Sequence, residues 1–188
     1  MRFLTDFADQ AVVLPLIVVV ALVLAGLGWR RGAVAWLAAV GVTFGAVLTL
    51  KLVLFTCGPA LHLATLRSPS GHTAAAAIIA GGIAVTLRRR KREVGAIALL
   101  SALVIGVTRV ALGWHSTPEV VVGGTLGVLG ALGFAWLAGS PPTLRLRWVF
   151  VSIVAVALLL HGQHLNAESR IRAVAFNLPF CADDPMRP

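Results

Sequence analysis

The chain alternates between long apolar runs and short polar breaks. The six apolar runs are Ala11–Gly28, Ala33–Phe55, Thr73–Leu87, Val94–Leu112, Pro118–Leu137 and Trp148–His161. A helix of about 17–25 apolar residues crosses the ~30 Å hydrocarbon core of a bilayer. The pattern predicts an all-α fold, a six-transmembrane-helix bundle forming one domain over residues 1–188, with a polar C-terminal tail at residues 162–188.

Composition and charge place this bundle in a membrane. Of the 188 residues, 59% are hydrophobic and 12% are charged, whereas soluble domains average about 25% charged residues. Nine of the sixteen Lys and Arg residues follow the first, third and fifth runs, where Glu93 is the single acid. The positive-inside rule puts those loops in the cytoplasm and both termini outside. This distribution explains the net charge of +9 without nucleic acid, and we expect membrane lipids as partners.

Three groups of polar residues interrupt the apolar pattern in a fixed order. They are Lys51 with Pro59; the turn Pro69-Ser70-Gly71-His72; and Thr108-Arg109 followed by His115 and Glu119. The predicted topology places all three groups on the outer face, opposite the basic loops. Together they supply two imidazoles, two cations, a hydroxyl and a carboxylate, which suit the binding and transfer of a phosphoryl group.

The turn before the third run has the features of an anion site. Free backbone N–H groups and the positive end of the dipole attract anions at a helix N-terminus. Gly71 permits close backbone approach, and the Ser70 hydroxyl adds a donor. The alternative is an ordinary helix cap with His72 at the interface.

The polar residues flanking the fourth and fifth runs also have two interpretations. Arg109 interrupts an apolar helix, where ionisable groups are costly and usually functional. Glu119 lies close enough behind His115 to orient its ring, or it only stabilises the start of a helix. Lys51 is either a phosphate ligand or a snorkelling interfacial lysine.

Together these residues resemble the type 2 phosphatidic acid phosphatase (PAP2) superfamily, in particular its bacterial integral-membrane lipid phosphatases. The family signature is a lysine, six residues and Arg-Pro; then Pro-Ser-Gly-His; then Ser-Arg, five residues, His, three residues and Asp. The resemblance covers about residues 45 to 135. It implies that His115 is the nucleophile, that Glu119 orients it and that His72 is the general acid. The implied phosphate ligands are Lys51, Ser70, Gly71 and Arg109.

Two departures from the signature matter. Glu119 replaces the aspartate, and Gly58 replaces the arginine of Arg-Pro. Losing a bidentate phosphate donor weakens transition-state stabilisation. Arg67, two residues before Pro69, is the residue we expect to fill this gap.

The two cysteines suggest a covalent link at the outer face. Cys57 lies beside the motif lysine, and Cys181 lies in the tail. If both face an oxidising compartment, a disulfide can persist and would hold Asn177 to Phe180 over the phosphate site. The alternative is two unrelated thiols.

The expected function is that of a metal-independent phosphatase without a cofactor. Its substrate would be a lipid phosphomonoester or diphosphate, such as a polyprenyl (undecaprenyl) diphosphate, phosphatidate or phosphatidylglycerophosphate, cleaved through a phosphohistidine at the outer face of the bacterial cytoplasmic membrane. The alternatives are a lipid phosphotransferase using the same histidine and a non-catalytic lipid-phosphate-binding protein.

Overall fold

The computed structural model describes residues 6–58, 65–143, 146–163, 165 and 167–177, and over these residues the chain forms helices and no strands. The helices are α1 (Gln10–Gly26), α2 (Arg30–Cys57), α3 (Gly71–Thr86), α4 (Lys91–Ala111), α5 (Thr117–Leu137), α6 (Leu146–Leu160) and α7 (Ala167–Phe176). Each predicted apolar run corresponds to one of α1 to α6. The prediction of a merely polar tail was incomplete, because that stretch contains α7.

Local sequence signals set the helix ends. Asp9 caps α1, with Oδ1 accepting the backbone N–H of Ala11 at 2.8 Å. Four helices are followed by glycines with positive φ, the usual way for a helix to stop; these are Gly28, Gly113, Gly139 and Gly162.

The surface of the bundle is apolar, as expected for a membrane protein. Among the described residues, α2, α4 and α5 are long and apolar enough to cross a membrane, whereas α1, α3 and α6 are shorter apolar helices. Large apolar side chains remain exposed along the helices, including Val42, Leu100, Val107, Leu129 and Leu158. Exposed apolar area on this scale indicates lipid surroundings rather than water.

The interior is closed by small residues and an aromatic cluster. A Cβ on Gly127 would lie 2.4 Å from the carbonyl oxygen of Ala74, so α5 and α3 pack backbone to backbone. Towards the other end, Trp36 packs edge-on against Phe134 with ring centroids 5.5 Å apart. Trp29, whose position at a run end predicts an interfacial side chain, is 5% exposed and packs on Phe134 instead.

The loops gather at two opposite ends of the bundle. At one end Arg31 Nε donates to the carbonyl of Leu137 at 3.0 Å, and Arg88 donates to that of Pro141 at 2.9 Å. The basic loops after α1, α3 and α5 therefore lie together. The other end holds the starts of α1, α3 and α5 and the ends of α2, α4 and α6, and it carries the predicted motifs.

Gly127→Val should destabilise the fold by on the order of 1–3 kcal/mol, because its side chain would meet Ala74 and Ala77 in a filled interior. Gly133→Ala is the matched control on the same helix, since a Cβ there has no neighbour within 4 Å. The measurement is thermal unfolding in detergent. Equal melting temperatures for both variants would contradict the close packing of α3 and α5.

Candidate active site

The motif-bearing end of the bundle contains an open cavity of about 1260 Å³. Its walls come from the segment before α1, the α2–α3 loop, the start of α3, the α4–α5 junction and α7. The ionisable side chains on these walls are Asp6, Asp9, Arg67, His72, Arg109, His115, Glu119, Glu168 and Arg172. The cavity therefore brings together acids, cations and both predicted histidines.

His115 and Glu119 form the central pair of the cavity. Nδ1 of His115 lies 3.0 Å from Glu119 Oε2, and both side chains are more than nine-tenths buried. A carboxylate oxygen only accepts hydrogen bonds, so Nδ1 carries the proton and Nε2 keeps its lone pair. This is the state that a nucleophilic histidine requires.

The environment also favours a neutral His115. Burial lowers the pKa of His115 below its ordinary value, and the charges of Lys51 and Arg109 act in the same direction, against the hydrogen bond from Glu119. The imidazole is therefore uncharged near neutral pH, where only the neutral form has a free lone pair.

Glu119 is held by backbone donors from two loops. Oε1 accepts the N–H groups of Arg67 at 2.9 Å and Ser68 at 2.7 Å, and Oε2 accepts that of Ser116 at 3.0 Å. The last contact belongs to a capping box, in which a Glu at the third helical position reaches back to the N-cap.

The Pro69–His72 turn is fixed at the start of α3. Ser70 caps the helix: its hydroxyl is fully buried and accepts from Thr73 Oγ1 at 2.9 Å. The Ser70 N–H donates to the carbonyl of Glu119 at 2.9 Å, which ties the turn to α5. Gly71 and His72 face the cavity. In this structure the Ser70 side chain thus acts as a cap, the alternative open from the sequence, and only its two successors line the cavity.

His72 has an acidic neighbour that the sequence did not reveal. Its Nε2 lies 3.6 Å from Oδ2 of Asp9, with the two side chains 14% and 8% exposed. The pKa of Asp9 lies well below its ordinary value: burial would raise it, but the contact with His72 and the N–H groups of Ala11 and Leu165 outweigh burial. Asp9 is therefore ionised at neutral pH.

Lys51 is buried and paired with a residue of α7. Its Nζ contacts Ser68 Oγ at 2.5 Å and forms a salt bridge with Glu168. Glu168 also accepts from the Ser68 hydroxyl at 2.5 Å. Burial would raise the pKa of Glu168, but the charge of Lys51 and these hydrogen bonds lower it below its ordinary value. The carboxylate of Glu168 is thus the anion that pairs with Lys51 in this structure.

Arg109 reaches the cavity from the end of α4. Its guanidinium lies over the Trp114 ring, 4.3 Å from the centroid. Stacking on an aromatic face holds the planar fork of an arginine in one orientation. Arg109 is therefore a pre-oriented cation on the wall that also carries His115.

The backbone at position 58 leaves no room for the family's motif arginine. Gly58 ends α2 by donating its N–H to the carbonyl of Leu54 at 2.9 Å, and a Cβ there would lie 2.3 Å from the same oxygen. Arg67 lines the cavity with an exposed side chain, as expected of a replacement cation. Arg172 of α7 also lines it, with its guanidinium 5.2 Å from the Phe55 ring.

The predicted disulfide partner lies outside the described residues. Cys57 is the last residue of α2 and is partly buried beside Thr56. Cys181 and residues 178–180 of the predicted lid belong to the part of the chain that is not described. The Cys57–Cys181 bridge therefore stays a prediction.

Sequence reasoning missed the site residues that come from outside the motifs. Asp9, Glu168 and Arg172 lie far along the chain from the residues they approach, and no local pattern relates them. Ser68 and Trp114 each lie next to a motif, so their positions carried a signal that was not used.

A family model of the PAP2 superfamily matches residues 51–141, from the motif lysine to the residues after α5. No curated protein and no solved structure matches the chain. The apolar helices indicate a membrane protein, and the family match supports activity of the phosphatase type. By this match, residues 51–141 of the chain belong to the PAP2 superfamily.

Glu168→Gln should lower the KM for a phosphate substrate by about tenfold. The variant keeps a hydrogen bond to Ser68 but removes the charge that competes for Lys51, and one charge-assisted hydrogen bond is worth about 1.5–3 kcal/mol. Steady-state kinetics and inhibition by inorganic phosphate measure the effect. Glu93→Gln at the opposite end of the bundle is the control. A raised KM would show that Glu168 supports phosphate binding instead of competing with it.

Proposed function

We propose that the protein is a lipid phosphate phosphatase of the bacterial cytoplasmic membrane, acting through a phosphohistidine on His115. The observation that carries the proposal is the 3.0 Å contact between Nδ1 of His115 and Glu119, which leaves Nε2 as a nucleophile in a cavity that three arginines also line. Membership of the PAP2 superfamily supports the same activity.

The reaction has two steps. Nε2 of His115 attacks phosphorus, the bond to the lipid oxygen breaks, and His72 gives that oxygen a proton. Water then attacks the phosphohistidine after losing a proton to His72, and phosphate leaves. Arg109 and the N–H groups at the start of α3 stabilise the negative oxygens of the transferring group. Lys51 also stabilises these oxygens once its salt bridge with Glu168 has opened.

The distribution of charge supports an outer-facing site. The basic loops share one end of the bundle and the cavity occupies the other, so the positive-inside rule orients the cavity outward. Helix α3 has 16 residues and spans about 24 Å, which is less than the ~30 Å hydrocarbon core. The turn with His72 would then lie below the membrane surface, within reach of a lipid head group.

The substrate class comprises polyprenyl diphosphates, phosphatidate and phosphatidylglycerophosphate, and the oligomeric state is left open. The catalytic residues require no metal ion in this mechanism. A phosphotransferase would use the same phosphohistidine with a lipid hydroxyl in place of water. A panel of lipid phosphates, assayed for free phosphate and for phosphorylated acceptor lipid, separates hydrolysis from transfer. Substrate binding without either product would mean a non-catalytic member.

His115→Ala should abolish phosphate release from every substrate of the panel, because it removes the nucleophile. In the wild-type protein, rapid acid-free quenching should trap an acid-labile phosphoryl group on His115, and EDTA should leave turnover intact. Since burial lowers the pKa of His115, the acid limb of the kcat/KM profile, where this ring gains a proton, should lie below about pH 6.5, the ordinary value.

His161→Ala is the matched control, since this histidine contacts Phe7 with ring centroids 4.5 Å apart and is not among the described lining residues. It should keep wild-type activity. Appreciable turnover by His115→Ala would remove it as the nucleophile.

Arg67→Ala should reduce kcat/KM by about 10²-fold, the scale of one preorganised transition-state donor. The physical reason is that Gly58 provides no cation and Arg67 lines the same cavity. Arg170→Ala on α7, which is exposed and not among the described lining residues, controls for loss of surface charge. Unchanged kinetics in Arg67→Ala would show that Arg67 does not replace the motif arginine. Arg172→Ala would then be the next variant to test.

A further inference from the structure

Backbone N–H groups hold the carboxylate of Asp9, the acidic partner of His72, as they hold that of Glu119, the partner of His115. Asp9 Oδ1 accepts the N–H of Ala11 at 2.8 Å and that of Leu165 at 3.2 Å. Those contacts fix the carboxylate plane and leave Oδ2 directed at His72. Glu119 is built in the same way, with backbone donors on its carboxylate and a histidine at one oxygen. The cavity thus contains two histidine–carboxylate pairs.

The second pair has a distinct electrostatic task. Burial removes water that would stabilise a positive imidazolium at His72, and the charges of Arg109 and Lys51 also disfavour it. Asp9 is the negative group in direct contact with the ring, and it opposes both effects. A histidine that must donate a proton needs such a counter-charge, whereas a nucleophilic histidine must stay neutral.

We propose that Asp9 is a positioning residue that holds the ring of His72 and favours the protonated form that serves as the general acid. The inference rests on the proposed phosphatase function and extends the site to the segment before α1. In the first step the proton moves from His72 to the lipid oxygen as its bond to phosphorus breaks, and in the second step His72 recovers a proton from water. Asp9 remains a carboxylate throughout. The separation of 3.6 Å exceeds an ordinary hydrogen bond, and such contacts commonly tighten when substrate binds.

The test compares two leaving groups in Asp9→Asn. Asparagine is as good an N-cap as aspartate, so the start of α1 is retained while the charge is lost. An alkyl lipid phosphate needs a proton on its poor leaving oxygen, whereas an aryl phosphate such as p-nitrophenyl phosphate does not. We expect kcat/KM to decrease at least about tenfold more for the alkyl substrate, within the 10²–10⁴ that general acid catalysis contributes. The alkaline limb of the pH profile for the alkyl substrate should move to lower pH.

Asp6→Asn is the matched control. Asp6 lies in the same segment and lines the same cavity, and its substitution should leave the ratio of the two kcat/KM values unchanged. An equal loss on both substrates in Asp9→Asn, or no loss, would overturn the proposal, because a merely structural carboxylate does not distinguish leaving groups.

A second measurement does not depend on turnover. Nitrogen-15 NMR of histidine-labelled protein in detergent, with His72 assigned by its absence in His72→Ala, reports the titration midpoint of this ring. The midpoint should move to lower pH in Asp9→Asn and stay in place in Asp6→Asn. An unmoved midpoint refutes the role of Asp9 even in an active enzyme. If the wild-type protein hydrolyses neither phosphate, the proposed function is refuted. The titration midpoint of His72, compared between the wild-type protein and Asp9→Asn, still decides the role of Asp9.

Discussion

Charges within an apolar bundle must be paired, and the architecture of the site follows from this constraint. Three pairs meet at one end of the molecule: Lys51 with Glu168, His115 with Glu119, and His72 with Asp9. Two of the pairs join segments far apart in the chain, so the contacts that prepare the chemistry also hold α7 and the start of α1 in place.

Glycine packing brings the two histidines to one cavity. A Cβ on Gly123 would lie 2.3 Å from the carbonyl oxygen of Ser70, so α5 touches the backbone of the turn that carries His72. The Ser70 N–H bonds to the carbonyl of Glu119 at the same crossing. Because Glu119 also holds His115, the spacing between His115 and His72 is set by this contact between α5 and the start of α3.

The sequence predicted those parts of the fold that depend on neighbouring residues. Apolar runs and caps located α1 to α6, and the motif spacings located His72, His115 and Glu119, because helix period and N-cap chemistry act within a few residues. The role of Glu168 could not be predicted, since its contact with Lys51 spans 117 residues. Helix α7 is short and weakly apolar, so it lacked the pattern that revealed the other helices. Trp29 was misplaced because a run end marks either an interface or a core position, and only tertiary packing decides between them.

On the proposed function, a phosphate group binds Lys51 by displacing the carboxylate of Glu168. Glu168 is tethered to the bundle through α7, so its effective concentration at Lys51 is high. A competing carboxylate brings the same single charge and gains nothing by displacing it. A phosphate group brings a charge of about −1.5 to −2 and three acceptor oxygens, which also engage Arg109 and the N–H groups at the start of α3. On the proposed function, an internal carboxylate of this kind keeps Lys51 paired in an apolar bundle and favours phosphoryl groups over single carboxylates.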